Sequence, residues 1–183
     1  TGRILLILCF TSALFSQRAE YPGNKPLRSP NGEYEISCKG LPGSEDFHLF
    51  LQDLHTNEIS PIYGFERSLE VLWSPDSQTL AITDIPGSAY SNTYIVSIKN
   101  PILRTDVDSI ILRHFPEDTW FMHRYVTANR WLDSKTLEIL VEGHSDESGK
   151  QGKEFKMVYR CTLGGDLKRL ARLRRLPNQK HFH

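Results

Sequence analysis

A chain of 183 residues fits one ordinary domain with a sizeable core, and its 39% apolar and 24% charged residues exclude disorder throughout. Twelve Gly and ten Pro favour many turns over long helices. The formal charge of +0 hides an asymmetry: residues 21–167 carry 14 basic against 21 acidic side chains, whereas residues 168–183 carry six basic and no acidic ones.

At the N-terminus Arg3 precedes an apolar run, Ile4 to Phe15, interrupted only by Thr11 and Ser12 and followed by polar residues and Pro22. Basic start, short apolar segment and small-residue region are the order of an export signal. Twelve residues fall short of the roughly 20 that an ordinary spanning helix needs. The pattern predicts a signal peptide over residues 1–19, cut after Ser16 or near Ala19, and a mature protein in the periplasm or outside the cell, the alternatives being a retained membrane anchor or a buried N-terminal helix. Bulky Leu8 argues against lipid modification of Cys9. Removal of Cys9 leaves Cys38 and Cys161, and an even pair in an exported chain predicts a disulfide. Such a bond would close a long loop and contribute about 4 to 5 kcal/mol. The alternative is two separate buried thiols.

Residues 20–166 read as an all-β domain of repeated units. "SPNG" at 29–32 and "SPDS" at 74–77 stand 45 residues apart, and each leads into an alternating run, "EYEISC" and "QTLAITD". The turns match at 45 while the apolar positions match at 46, which predicts a one-residue difference between turn and strand. A second apolar run closes each unit, "FHLFLQDLHTNE" and "NTYIVSIKNP". A third copy follows in "RWLDSKTLEILVEG", with a longer glycine-rich loop before "EFKMVYRCTLGG". Long surface loops add little closure entropy, so such an expansion is tolerated. Between them "DVDSIILRHF" carries Val107, Ile110, Ile111 and Phe115 near helical spacing, and residues 102–127 are open to either strands or a short helix.

Trp73, Ser74, Pro75, Asp76, Leu80, Ala81 and Ile82 resemble the repeat of TolB-like and WD40-like β-propellers, in which an aromatic-Ser-Pro-Asp turn leads into a blade strand. The resemblance is best over residues 65–99, moderate over 27–58, where Ser29 and Pro30 follow Arg28 rather than an aromatic residue, and weak over 119–162. It departs from the pattern at Ser77, where Gly is common. It implies three blade-like antiparallel repeats and no activity. Propellers close with about four to eight blades, so three units imply an incomplete propeller, completion by another subunit, or a barrel or sandwich variant.

No nucleophile elbow, phosphate loop, Rossmann fingerprint or Cys-x-x-Cys pair occurs, and neither cofactor nor resident metal is expected. His144, Asp146 and Glu147 with Glu142 offer ligand atom types without a known metal-loop spacing, and a solvated loop is the simpler reading. His114, Glu117, Asp118 and His123 suggest acid–base chemistry only if folding brings them together. The tail "GGDLKRLARLRRLPNQKHFH" is the strongest remaining feature. Asp166 as cap, leucines at every third position from 167 to 176 and Pro177 as stop predict a short basic C-terminal helix. Arg169, Arg172, Arg174 and Arg175 are the candidate interaction residues, for a protein partner, self-association or peripheral membrane contact, with nucleic acid disfavoured by export. The sequence thus predicts an exported, non-enzymatic interaction module, the alternative being a small exported hydrolase using His114, Asp118 or His144.

Overall fold

The computed structural model describes residues 17–40, 46–99, 102–115, 123–144, 154–164 and 167–173. In chain order its elements are β1 (Arg18–Tyr21), β2 (Leu27–Arg28), β3 (Tyr34–Gly40), β4 (Phe47–Asp53), β5 (Ile59–Phe65), β6 (Ser68–Trp73), β7 (Thr79–Ile85), β8 (Tyr90–Ser97), β9 (Leu103–Asp106), α1 (Val107–His114), β10 (His123–Trp131), β11 (Thr136–His144), β12 (Glu154–Thr162) and β13 (Leu167–Leu173). The chain is predominantly β with one short helix among the described residues, arranged as three antiparallel groups of strands. The first is β2-β3-β4-β5; the second runs β1-β6-β7-β8 with β9 on the far half of β8; the third is β10-β11-β12-β13. A two-residue parallel bridge, Tyr90 to Arg124 and Ser91 to Tyr125, joins the second group to the third.

The three groups stack, and the middle one is buried on both faces. In β7 the consecutive residues Leu80, Ala81 and Ile82 are all 0% exposed, which a strand with one solvated face cannot achieve. Leu80, Ile82 and Trp73 pack toward the first sheet, against Ile36 and Leu49. Ala81, Leu72 and Ile95 belong to a second core with Val126, Ile139 and Tyr159 of the third sheet. Helix α1 fills the wedge beside β8 through Val107 and Ile111, both 0% exposed. Its N-cap is Asp106, whose carboxylate accepts from the Ser109 amide at 3.1 Å, and Arg113 and His114 end it on the favourable side of the helix dipole.

The repeated turns are equivalent bond for bond. Ser29 Oγ donates to Asn31 Oδ1 and accepts from the Tyr34 amide, at 2.7 and 3.0 Å; Ser74 Oγ does the same with Asp76 and Thr79 at the same distances. Gly32 and Ser77 occupy the same left-handed position, at φ 77° and 61°. Both following strands begin five residues after the turn serine, so the predicted one-residue difference is absent. The counterpart of Ile36 is Ala81, and the counterparts of Leu80 and Ile82 are Glu35 and Ser37. An outer sheet tolerates polar residues on its free face whereas the middle sheet needs apolar ones on both, which mimicked a shift in phase. The third turn is one residue shorter: Trp131 pairs with Leu137, whereas Trp73 pairs with Leu80. There Asp133 alone accepts from the Lys135 and Thr136 amides, at 2.7 Å each. The second and third turns share a cleft, with Asp76 and Gln78 lining it alongside Ser134 and Lys135.

The edge of β10 that faces away from β11 meets the face of the second sheet, where side chains replace a strand ladder. Thr93 Oγ1 donates to the Val126 carbonyl at 2.8 Å, and Thr83 Oγ1 accepts from the Ala128 amide at 3.0 Å. The Arg18 guanidinium, paired with Glu70 at 2.8 Å, bonds the carbonyls of Ala128 and Asn129 at 3.0 and 2.6 Å. Trp131 Nε1 donates to the Leu72 carbonyl at 3.2 Å. The buried groups among these, the Val126 carbonyl, the Ala128 amide and the Leu72 carbonyl, are thereby satisfied, as burial requires, while the Asn129 bond is exposed.

Two further expectations are corrected. The basic tail is not a helix over its first seven residues: Leu167–Leu173 is strand β13, antiparallel to β12, with Leu167 opposite Cys161 and Leu173 opposite Lys156. Ten residues make a marginal helix in isolation, and the open ladder of β12 offers hydrogen bonds that a helix end cannot match. Asp166 and residues 174–183 lie outside the described residues. Cys38 and Cys161 are free thiols, not a disulfide. Cys38 lies at the first interface and Cys161 in the second core, with the middle sheet between them. Packed sheets stand about 10 Å apart, so the two cannot reach the roughly 7 Å Cα separation a disulfide allows. Burial pushes the Cys161 thiol up to about 11.

Candidate functional site

Among the described sequence-derived candidates, one pair of histidines comes together. His114 ends α1, with Nδ1 2.9 Å from the Ile110 carbonyl. His123 and His144, assigned to different clusters by sequence, face each other across β10 and β11 with their rings stacked at 4.3 Å. Glu142 pairs with Lys156 at 3.1 Å. Glu117, Asp118, Asp146 and Glu147 lie outside the described residues, as do Arg174 and Arg175; Arg169 and Arg172 fall in β13. Among the described residues no group of three or more His, Cys, Asp or Glu stands close enough to hold a metal ion.

A cluster that sequence did not suggest lies at the rim between the first two sheets. Asp84 and Ile82 share one face of β7, Tyr94 stands opposite Ile82 on β8, and Arg104 stands opposite Val96 on β9, so register alone brings Asp84, Tyr94 and Arg104 to the face that meets the first sheet. Tyr63 enters from β5. Its hydroxyl donates to Asp84 Oδ2 at 2.8 Å, and its ring lies 5.4 Å from that of Tyr94. The Arg104 guanidinium covers both rings, 5.5 Å from the Tyr63 centroid and 5.0 Å from that of Tyr94.

The electrostatics follow from this packing. Burial raises the Asp84 carboxyl above its ordinary value; the hydrogen bonds from Tyr63 and from the Ile85 backbone oppose that rise, Glu66 adds to it, and Arg104 counters it. Burial, then the bond to Asp84, raises the Tyr63 phenol, so Tyr63 remains a donor across the ordinary pH range. The Asp84 carboxylate thus takes hydrogen bonds from the Tyr63 hydroxyl and the Ile85 backbone. Two aromatic faces and a carboxylate make a site for positive charge rather than for covalent chemistry. The four residues are separated by 21, 10 and 10 positions, and only strand register could have joined them.

No family model and no curated protein sequence matches this chain. Among solved structures it is similar to the β-propeller domain of the Trilobed protease from Pyrococcus furiosus, described as having an open velcro topology, with a TM-score of 0.51 and 14% identity over 81% of this chain. The match covers 43% of that protein's chain, so the present chain spans less than half of it. What the two share is the fold: three stacked antiparallel sheets here are similar to part of a β-propeller domain.

Proposed function

We propose that this chain is an exported, non-enzymatic protein-interaction module made of three TolB-like or WD40-like propeller repeats, and that its basic end strand forms part of the contact surface. One observation supports this most directly. β13 stands at the end of the strand order, with β12 its strand partner among the described residues, and its sequence contributes Lys168, Arg169 and Arg172 without an acidic residue. A terminal strand offers backbone donors and acceptors to an extended segment of another protein, and basic residues select an acidic one. Arg174 and Arg175 continue the same charge. Three sheets fall short of a closed ring, and further sheets from additional chain or a second subunit would extend the stack.

The test is binding of the full chain to an immobilised extended peptide of alternating Glu and Val. Binding should weaken as salt rises and disappear in the variant R169E/R172E/R174E/R175E. Equal binding by wild type and variant, or none by wild type, removes β13 from the contact surface. Turnover of small ester or peptide substrates by the purified protein would displace the non-enzymatic reading.

A further inference from the structure

We propose that Tyr63, Tyr94 and Asp84 form a receptor for an organic cation bearing N–H groups, a guanidinium or primary ammonium, and that Arg104 is its built-in occupant. The site is independent of β13. Its aromatic surface is the pair of tyrosine rings, packed against each other with centroids 5.4 Å apart, and its counter-charge is Asp84. The negative faces of aromatic rings attract a cation within about 6 Å of their centroids, and both distances to Arg104 lie inside that range.

Arg104 occupies the site without completing it. Among the described residues no ion pair joins its guanidinium to Asp84, whose carboxylate takes its hydrogen bonds from the Tyr63 hydroxyl and the Ile85 backbone. A ligand that donates an N–H to the Asp84 carboxylate makes a bond that Arg104 does not make. Arg104 is also the more readily displaced group: it is exposed and belongs to β9, a four-residue strand that pairs only with the second half of β8 among the described residues. Glu66 adds negative potential close to Asp84. The arrangement is thus a cation site with a tethered competitor, and a basic side chain of a partner or a free guanidino or amino compound would have to displace Arg104 to enter.

The two sources share one chemistry and are separated by the probes. The full-length chain is titrated with methylguanidinium, with tetramethylammonium, and with an acetylated arginine amide, following tyrosine ring resonances. R104A, and R104Q as a second variant of different volume, should bind methylguanidinium about fivefold more tightly than wild type through loss of the competitor. R104A/D84N should lose that gain. Tetramethylammonium, which cannot donate to the Asp84 carboxylate, should bind R104A several-fold more weakly than methylguanidinium. Tighter binding of the arginine amide than of methylguanidinium assigns the site to a peptide side chain, and the reverse order assigns it to a free compound. The proposal is overturned if R104A and R104Q bind no better than wild type, if D84N has no effect in the R104A background, or if tetramethylammonium binds as well as methylguanidinium.

Discussion

The Asn31 amide donates to Ser77 Oγ at 3.0 Å, tying the turn of the first sheet to the equivalent turn of the second. Ser77 holds that position at φ 61°, a region that costs a side-chain-bearing residue energy. Ser77→Ala keeps the backbone cost and loses the bond, and should destabilise by about 1 to 2 kcal/mol. Ser77→Gly loses the same bond but relieves the backbone, so thermal midpoints should fall in the order wild type, Gly variant, Ala variant. Melting curves followed by circular dichroism check that order.

At Gly143 a Cβ would run into the His123 carbonyl oxygen and lie 2.9 Å from Phe155 Cζ. Neither obstacle is the end of a flexible chain, so Gly143→Ala must displace β10 from β11. A loss of about 3 kcal/mol is expected, the upper part of the usual overpacking range. Gly87 is the control, since a Cβ there would meet nothing within 4 Å. Its Ala variant should stay within about 0.5 kcal/mol of wild type in urea unfolding.

Thr83→Val conserves shape and removes the acceptor of the Ala128 amide. A buried donor left unsatisfied costs about 1 to 3 kcal/mol. The local signature is faster hydrogen exchange at the Ala128 amide, beyond the change caused by lower global stability. Unchanged protection there would show that the β10 edge is held by its other partners alone.

Asp84 has a raised carboxyl pKa in the folded state, above its ordinary 3.8. Folding therefore favours its protonated form. No penalty exists at pH well below 3.8; it develops as pH rises through that value and is complete above the raised folded pKa. Asp84→Asn keeps an acceptor for Tyr63 and cannot ionise. The stability of wild type relative to Asp84→Asn should accordingly decline between about pH 3 and neutrality. A difference that is flat with pH, measured by denaturant unfolding at several pH values, would contradict this assignment.

Local chemistry was legible in the sequence wherever it was contiguous. Ser74, Pro75 and Asp76 specified their turn, and the match to Ser29 located a second copy whose hydrogen bonds prove identical. Helical spacing from Val107 to Phe115 marked the region of α1, although strand and helix remained open there. Misreadings arose where layers decide the outcome. Ile82 looked like the match of Ile36 because a middle sheet hides both faces of β7, and the two cysteines looked like partners because their separation in the stack has no trace in composition. The leucines of the tail, three apart, obey neither strand nor helix period cleanly, and the free ladder of β12 decided between them. Tyr63, Asp84, Tyr94 and Arg104 come from four strands and have no common motif.

Strand β1 is four residues long yet fastens all three sheets. It pairs with β6, its Tyr21 hydroxyl donates to the Ile36 carbonyl at 3.2 Å, and its Arg18 holds the backbone of β10. Maturation and architecture are thereby linked for an exported form of this chain. A signal peptidase cutting after Ser16 would release a polypeptide that keeps the Arg18 bonds to the third sheet; one cutting near Ala19 would release a chain without them, its third sheet held by the β8–β10 bridge, the threonine and tryptophan bonds and the shared core. For an exported form, the choice of cleavage point would decide whether the mature protein keeps the Arg18 bonds.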